Sequence, residues 1–175
     1  SPSNPTGAAY EKKHLEEIAQ VVLERDLLVI SDEIYERIVY NGFKHVSFGS
    51  LGREVKDRTV VVNGVSKTFS MTGWRIGYAA GPKPIMSAMA NLQSQSTSNP
   101  CSISQKAAVA ALSQTSPETI KMLGEFERRR TYLLKRLSRI KGMTCVPPLG
   151  AFYVFPKVSA YFGKVWKDRT LSNSQ

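Results

Sequence analysis

The stretch TVVVNGVSKTFSMTGWRIGYAAG, residues 59–81, decides the fold of this chain. Its β-branched run at 59–62 predicts a buried strand, which ends at the Asn-Gly pair that follows. Lys67 comes next in a turn of small residues, and Arg75 stands at the start of a second predicted strand, which includes residues 76–80. Charged side chains avoid positions beside buried strands unless they are paired or functional, so both residues are candidates for a functional site.

The chemistry of these two side chains suggests what the site binds. A lysine amine that has lost its proton is a nucleophile toward a carbonyl carbon. An arginine guanidinium is always charged, and its planar fork suits a phosphate dianion. Lys67 and Arg75 together therefore indicate a carbonyl cofactor with a phosphate group, which describes pyridoxal 5'-phosphate (PLP). The plainer alternative is a pair of surface charges that flank a hairpin.

A carboxylate follows another predicted strand. The apolar run at 27–30 predicts a parallel strand buried on both faces, and Asp32 comes just after it. Ligands of open α/β sheets bind beyond the carboxyl ends of strands, so Asp32 is placed to meet one and could pair with the pyridine nitrogen of PLP. Tyr35, one helical turn later, could donate to the cofactor's phenolic oxygen. The alternative is a capping aspartate and a packed tyrosine.

The neighbouring titratable residues receive no functional role. Glu33 and Glu36 are predicted to be exposed. His14 lies among the charged residues of a predicted helix, and His45 lies in a predicted loop at 41–58. Both histidines are expected to be solvated.

Composition and charge restrict the class of protein. The chain has 175 residues with 42% hydrophobic content, enough for one sizeable core. Its net charge of +10 could suggest nucleic acid, but eight of the basic residues lie at 121–141 beside a regular apolar stripe. That pattern favours the solvated face of one long helix. Cys101 and Cys145 have no metal-ligand spacing and fit a reducing compartment, and no apolar run is long enough to span a membrane.

Helical spacing predicts four helices, at 10–25, after the turn at 81–84, up to about residue 112, and from 117 to about 140. Ser102 or Ser104 is expected to cap the third helix, and Ser116 the fourth. Short strands are expected at 143–146 and 151–155. The side chains expected on the buried faces of the second and fourth helices are Met86, Met89, Leu92, Ile120, Leu123, Leu133, Leu134 and Leu137.

The motif GVSKTFSMTGWRIG, residues 64–77, resembles the lysine signature of class I PLP-dependent aminotransferases. The strings NPTG at 4–7 and DEIYE at 32–36 resemble that family's asparagine motif and its aspartate and tyrosine pair, in the same order. The resemblance implies an α/β fold. The chain would hold part of the large PLP-binding domain, a mainly parallel sheet with covering helices, and then the start of an α+β small domain.

The resemblance also implies three catalytic residues. Lys67 would bond to the aldehyde carbon of PLP, and its amine would later move the proton of the substrate's α-carbon as general base and then acid. Asp32 would stabilise the positive ring nitrogen, which keeps the ring an electron sink. Tyr35 would hold the phenolic oxygen.

Three further residues are implied to bind the cofactor. Asn4 would reach the phenolic oxygen beside Tyr35, while Ser66 and Arg75 would bind the phosphate. One position departs from the family pattern, because some relatives carry a serine three residues before the lysine, where this chain has Gly64. One hydrogen bond to the phosphate is therefore in doubt.

The activity implied is transfer of an amino group from an amino acid to a 2-oxo acid such as 2-oxoglutarate. The strings MTGWRIGY and QSQSTS resemble bacterial aspartate aminotransferases of the branch that also contains prephenate aminotransferases, so aspartate or another dicarboxylic donor is expected. A cytoplasmic homodimer is expected, with the polar loop at 93–104 near the subunit interface, and neither nucleic acid nor membrane as a partner. Two alternatives are the PLP-binding domain of a transcription regulator and a PLP lyase of the same fold.

The family's enzymes are longer than this chain, so the chain is interpreted as an internal fragment. The expected organisation is the C-terminal part of the large domain at 1–116, an interdomain helix at 117–141 and the start of the small domain at 142–175.

Overall fold

A three-stranded mixed sheet organises residues 1–114 and 117–172, the part of the chain that the computed structural model describes. Its strands, in spatial order, are β1 (Val29–Asp32), β2 (Thr59–Gly64) and β3 (Gly77–Ala80). β1 and β2 are parallel, with Asp32 beside Val62, whereas β3 is antiparallel to β2, with Gly77 beside Gly64. The α/β class is confirmed. The sheet is mixed rather than mainly parallel, because the short segment between β2 and β3 reverses the chain without a crossover helix.

Five helices accompany the sheet in the described residues, and the predicted ones are present with shifted ends. They are α1 (Lys12–Glu24), α2 (Arg53–Lys56), α3 (Lys83–Ser96), α4 (Ser102–Leu112) and α5 (Pro117–Leu137). The N-cap of α4 is Cys101, without a side-chain hydrogen bond, so the prediction that Ser102 or Ser104 caps this helix is wrong. The predicted cap Ser116 lies outside the described residues. No helix within the described ranges is both long enough and apolar enough to cross a bilayer.

The chain after α5 forms only short strand pairs in the described part. They are the antiparallel pairs β4 (Thr144–Cys145) with β5 (Pro156–Lys157), and β6 (Val165–Trp166) with β7 (Arg169–Thr170). The strand predicted at 151–155 is absent there, because Ala151 adopts a left-handed φ of 57° that breaks an extended backbone. The amide of Ala151 donates instead to the carbonyl of Ile38 at 2.9 Å. This segment therefore runs beside the turn that follows β1.

Three apolar clusters hold these elements together. α1 buries Leu15, Ala19 and Val22 against Phe48 and Val55. A second cluster joins the turn after β1 to the segment near residue 151, and a third packs the segment between β2 and β3 against α4. The buried members of these two clusters are Tyr35, Ile38, Tyr40 and Ala151, and Val65, Ile76 and Ala108, respectively. Fully burying one large apolar side chain stabilises a fold by about 1.5–3 kcal/mol.

Several faces predicted to be buried are exposed. Leu28 and Ile30 around β1 are 71% and 79% exposed. No described side chain of α3 or α5 is fully buried. Leu92 of α3 and Ile120 of α5 are 72% and 65% exposed. Apolar spacing predicts which face of an element is buried, but burial needs a second layer, and in the described residues this layer covers only part of these faces, as where Leu123 and Phe126 of α5 pack on the cluster around Tyr35.

Glu33 is buried, at 2% exposure, so the prediction of an exposed side chain is wrong. Its Oε1 accepts hydrogen bonds from the Ser31 hydroxyl, the Ser47 hydroxyl and the Phe48 amide at 2.9–3.1 Å. Its Oε2 lies 3.2 Å from Nε2 of His45. The prediction that His45 is solvated is therefore wrong, since its side chain is only 15% exposed. Burial acts to raise the pKa of Glu33, but the hydrogen bonds outweigh it and lower that pKa below 4.5.

The loop at 3–8 is tied to the segment at 148–150 through Gly7. The Gly7 carbonyl accepts from the amides of Leu149 and Gly150 at 2.9 and 3.0 Å. Gly7 has a φ of 67°, and a Cβ built there would lie 2.3 Å from Cβ of Pro148. Only glycine therefore fits at this crossing of two loops.

Gly7→Ala should lower the free energy of unfolding by roughly 2–4 kcal/mol, because the new methyl group adds a steric clash to the strain of a left-handed alanine. Gly42→Ala is the matched control, since Gly42 has a similar φ of 71° and nothing within 4 Å of a built Cβ. The control should cost only about 1 kcal/mol. Chemical denaturation of both variants measures the difference, and equal losses would contradict the close approach at Gly7.

Glu33→Gln should destabilise the fold by about 1–3 kcal/mol at neutral pH, because an amide cannot accept all the hydrogen bonds that the carboxylate accepts. The lowered pKa of Glu33 means that its contribution is present above pH 4.5 and is lost as the pH falls through the folded-state pKa. The difference in the free energy of unfolding between wild type and Glu33→Gln should therefore become smaller at acidic pH. Glu17→Gln is the control and should change stability little, since Glu17 is exposed on α1 and lies outside this network. Unfolding curves between pH 3 and pH 7 make the comparison, and a gap that stays constant would contradict the charged role.

Candidate active site

One cavity of about 740 Å³ brings together four of the six predicted site residues. Asn4, Asp32, Tyr35 and Lys67 line it, although they come from three separate segments of the chain. It opens at the edge of the sheet where the parallel strands β1 and β2 both end. The cavity thus holds the amine of Lys67, the carboxylate of Asp32, the phenol of Tyr35 and the amide of Asn4, each able to hydrogen-bond to a polar ligand.

Lys67 is held in place by the turn that follows β2. Two residues earlier, Val65 is fully buried against Ile76 and Ala108, and its amide donates to the Ile76 carbonyl at 3.3 Å. The Lys67 side chain is half-buried, and its Nζ lies 5.9 Å from the ring centre of Tyr35 and 5.7 Å from that of Phe152. Two aromatic rings therefore lie within cation–π range of the amine.

Asp32 is the last residue of β1, where the backbone leaves the sheet. Its Oδ1 accepts a hydrogen bond from the Ile34 amide at 3.1 Å, which fixes the side chain over the turn. The Asp32 carboxylate is exposed to the cavity side of the turn. A carboxylate held this way is oriented before any ligand arrives.

Tyr35 is buried at 4% exposure, and its hydroxyl lies 2.7 Å from the Tyr153 hydroxyl. Burial raises the pKa of Tyr35 above its ordinary value, and the Tyr153 hydroxyl and the Asp32 charge raise it further. Tyr35 thus remains a neutral phenol across the physiological range. Its ring meets those of Phe152 and Tyr153 edge to face, at 5.4 and 5.8 Å between centres.

Asn4 lies in the loop that enters the fold before α1. The Ser3 amide donates to the Ala8 carbonyl at 2.9 Å, and the Gly7 amide donates to the Ser3 carbonyl at 2.8 Å. These two bonds close the loop around Asn4, whose side chain is exposed at the cavity rim.

Ser66 and Arg75 are not among the described residues that line this cavity. Ser66 is half-buried directly before Lys67. Arg75 is exposed, has a left-handed φ of 55°, and donates from Nη1 to the Thr72 carbonyl at 3.0 Å. At Gly64 a built Cβ would lie 2.9 Å from the Ile76 carbonyl oxygen, so the backbone geometry explains why this position departs from serine.

Sequence reasoning missed two aromatic residues: Tyr153, which lines the cavity, and Phe152, whose ring lies beside Lys67 and Tyr35. Phe152 and Tyr153 lie about 120 positions after Asp32, within the segment at 151–155 that the sequence predicts as a strand. The left-handed Ala151 directs this segment toward Tyr35 instead. The GAFY string at 150–153 is the one local signal, because small residues before aromatic residues allow a close approach of backbone to a site.

A second polar cluster lies beside the site. Ligand atoms of Glu33, Glu36 and His45 lie within 4.8 Å of one another. Both Glu33 oxygens already accept hydrogen bonds from protein groups, so this cluster is accounted for as a structural network.

The family model "Aminotransferase class I and II" matches residues 1–174. The chain is 53% identical to aspartate aminotransferase of Geobacillus stearothermophilus over 156 residues, which are 89% of this chain and 40% of that protein. It is 48% identical to the probable aspartate/prephenate aminotransferase of Rickettsia bellii over 176 residues, 99% of this chain and 44% of that protein. The chain thus spans less than half the length of these relatives.

Solved structures agree with the sequence relatives. The crystal structure of aspartate aminotransferase from Rhizobium meliloti superposes with a TM-score of 0.94 at 43% identity, over 98% of this chain and 44% of that one. Aminotransferases of this family use PLP, the cofactor that the sequence predicts. On the match across nearly its whole length, this chain belongs to the class I and II aminotransferase family.

Proposed function

We propose that this chain carries the PLP site of an aminotransferase, which moves an amino group from an amino acid to a 2-oxo acid. The observation that carries the proposal is the single cavity lined by Lys67, Asp32, Tyr35 and Asn4 in a chain of this family. The relatives named above are aspartate and aspartate/prephenate aminotransferases, which favours transamination over a lyase or a transcription regulator.

The donor set of the cavity fits PLP. Asp32 offers a carboxylate for a protonated ring nitrogen, while Tyr35 and Asn4 offer donors for a phenolic oxygen. Lys67 offers an amine for an aldehyde. When bound, PLP supplies an electron-withdrawing ring that stabilises negative charge at the substrate's α-carbon.

Lys67 is the residue that moves the proton. Its Nζ takes the hydrogen of the substrate's α-carbon as a general base, and returns a hydrogen as a general acid in the second half of the transfer. The rings of Tyr35 and Phe152 lie within 6 Å of Nζ, in cation–π range of the amine. Asp32, whose side chain is held by the Ile34 amide, would pair with the ring nitrogen of the cofactor.

Ser66 and Arg75 are assigned to the phosphate on the resemblance to the family, since neither lines the cavity described above. Ser66 precedes Lys67 directly, so its hydroxyl leaves the same turn. Arg75 ends the helical turn at 72–74 and follows the same segment. The guanidinium fork suits a dianion better than any other side chain.

The substrates proposed are aspartate or another dicarboxylic amino acid and a 2-oxo acid such as 2-oxoglutarate. The names of the relatives support this choice. One further solved relative, aspartate aminotransferase from Thermus thermophilus with maleate, is 46% identical over 92% of this chain, with a TM-score of 0.82 and 42% of that chain covered. Maleate is a dicarboxylate, as aspartate is.

The assembly proposed is a cytoplasmic homodimer without a nucleic-acid or membrane partner. Exposed apolar side chains on either side of the loop at 97–101, Leu92 and Ile103, support a protein contact there. The free thiols of Cys101 and Cys145 suit a reducing compartment.

The proposed function is tested with the complete gene product, PLP, aspartate and 2-oxoglutarate. Formation of oxaloacetate and glutamate in equal amounts is expected. Release of ammonia from aspartate without the oxo acid would instead assign a lyase, and inert protein with DNA-binding activity would assign a regulator.

Lys67→Ala should lower transamination by about a thousandfold or more, because the proton then has no positioned base. Borohydride reduction of the wild-type protein with PLP should leave the pyridoxyl label on the peptide that contains Lys67. Lys83→Ala, at the exposed start of α3, is the control and should leave turnover nearly unchanged. A label found on Lys83 would show that the lysine is misassigned.

Asp32→Asn should lower the rate of α-proton removal by about a hundredfold or more, roughly 3 kcal/mol, because the amide keeps the hydrogen bond to Ile34 but loses the charge. Single-turnover kinetics with aspartate measures this rate. Asp57→Asn, an exposed carboxylate after α2, serves as the control. If Asp32→Asn removes the α-proton within tenfold of the wild-type rate, the negative charge of Asp32 does not contribute to that step.

A further inference from the structure

Tyr153 lines the cavity but has no role in the proposed function so far. Its hydroxyl lies 2.7 Å from that of Tyr35, and their ring planes meet at 84°. The two tyrosines are 118 positions apart in the sequence. Tyr153 comes from the segment between β4 and β5, whereas Tyr35 lies on the turn after β1.

The distance leaves the direction of this hydrogen bond open, since either hydroxyl could donate. A phenol carries one hydrogen and can accept through its lone pairs. In the proposed function, the Tyr35 hydrogen points to the phenolic oxygen of the cofactor. Its oxygen can then only accept from Tyr153, so the two requirements fix the direction of both bonds.

We propose that Tyr153 is a positioning residue, whose hydroxyl donates to Tyr35 and thereby directs the Tyr35 hydrogen into the cavity. Without Tyr153, the Tyr35 hydroxyl is free to rotate and holds the phenolic oxygen less firmly. This inference rests on the proposed function, because it assigns Tyr35 a phenolic acceptor.

The aromatic packing around Tyr153 makes the role specific to its hydroxyl. Its ring lies 4.9 Å from that of Phe152, which stacks in turn on Phe126 of α5 at 5.3 Å. A phenylalanine keeps these ring contacts and removes one O–H group. The other titratable side chains that line the same cavity are Asp32, Lys67 and Tyr10, and none of them changes in this substitution.

The decisive variant is Tyr153→Phe in the complete gene product. Its dissociation constant for PLP, measured by fluorescence titration, should rise about threefold to tenfold through the weakened hydrogen bond. The absorbance transition of the bound cofactor should move to higher pH, because a less firmly held donor stabilises the deprotonated phenolic oxygen less. Tyr132→Phe, on an exposed tyrosine of α5, is the control and should change neither quantity.

A double-mutant cycle separates positioning from general packing. In a Tyr35→Phe background, Tyr153→Phe should add no further change in PLP affinity or in the absorbance transition, because the bond is already lost. Thermal unfolding of all variants reports folding independently, and a drop in stability with additive effects on affinity would overturn the positioning role.

Failure of the inference is distinct from failure of the proposed function. If Tyr35→Phe alters PLP affinity and absorbance while Tyr153→Phe leaves both unchanged, the role of Tyr153 is wrong and the PLP site stands. If the wild-type protein does not bind PLP at all, the proposed function is wrong, and the role of Tyr153 falls with it.

Discussion

The parallel pairing of β1 with β2 is the contact on which the rest of the site depends. It sets Asp32 beside Val62, and the Glu33 amide extends the ladder by donating to the Val62 carbonyl at 2.9 Å. Parallel strands end at the same edge, so the turns with Asp32 and Lys67 leave the sheet side by side. A shift of register by one residue would turn these side chains to opposite faces.

Buried polar and backbone contacts hold the surrounding loops against this edge. The Glu33 carboxylate accepts hydrogen bonds from the loop at 45–48. The Gly7 carbonyl accepts hydrogen bonds from the segment at 148–150 and so fixes the loop at 3–8 against it. Loss of one hydrogen-bond partner would leave the buried Glu33 carboxylate partly unsatisfied, which destabilises the fold. Gly7 has no space for a Cβ, so any other residue there would clash. The loops at 3–8, 45–48 and 148–150 are therefore held in place by tertiary contacts.

The site combines residues that precede the long helix α5 in the sequence with a residue that follows it. Asn4, Asp32, Tyr35 and Lys67 precede it, whereas Tyr153 follows it and meets Tyr35 through a hydroxyl. Any movement of the later segment relative to the sheet changes the surroundings of Tyr35 and of the Lys67 amine.

The sequence by itself determined the α/β class, the position of most helices, and the polar residues that follow β1 and β2, because these depend on local spacing and on the direction of strands. Tertiary structure decided the rest. It buried Glu33, which the sequence predicts to be exposed, because the donors that satisfy its carboxylate come from residues 45–48, a separate loop of the chain. It left Ile30 exposed, since burial depends on a second layer, and it brought Tyr153 to Tyr35 through the left-handed Ala151, a backbone conformation that no side-chain pattern encodes.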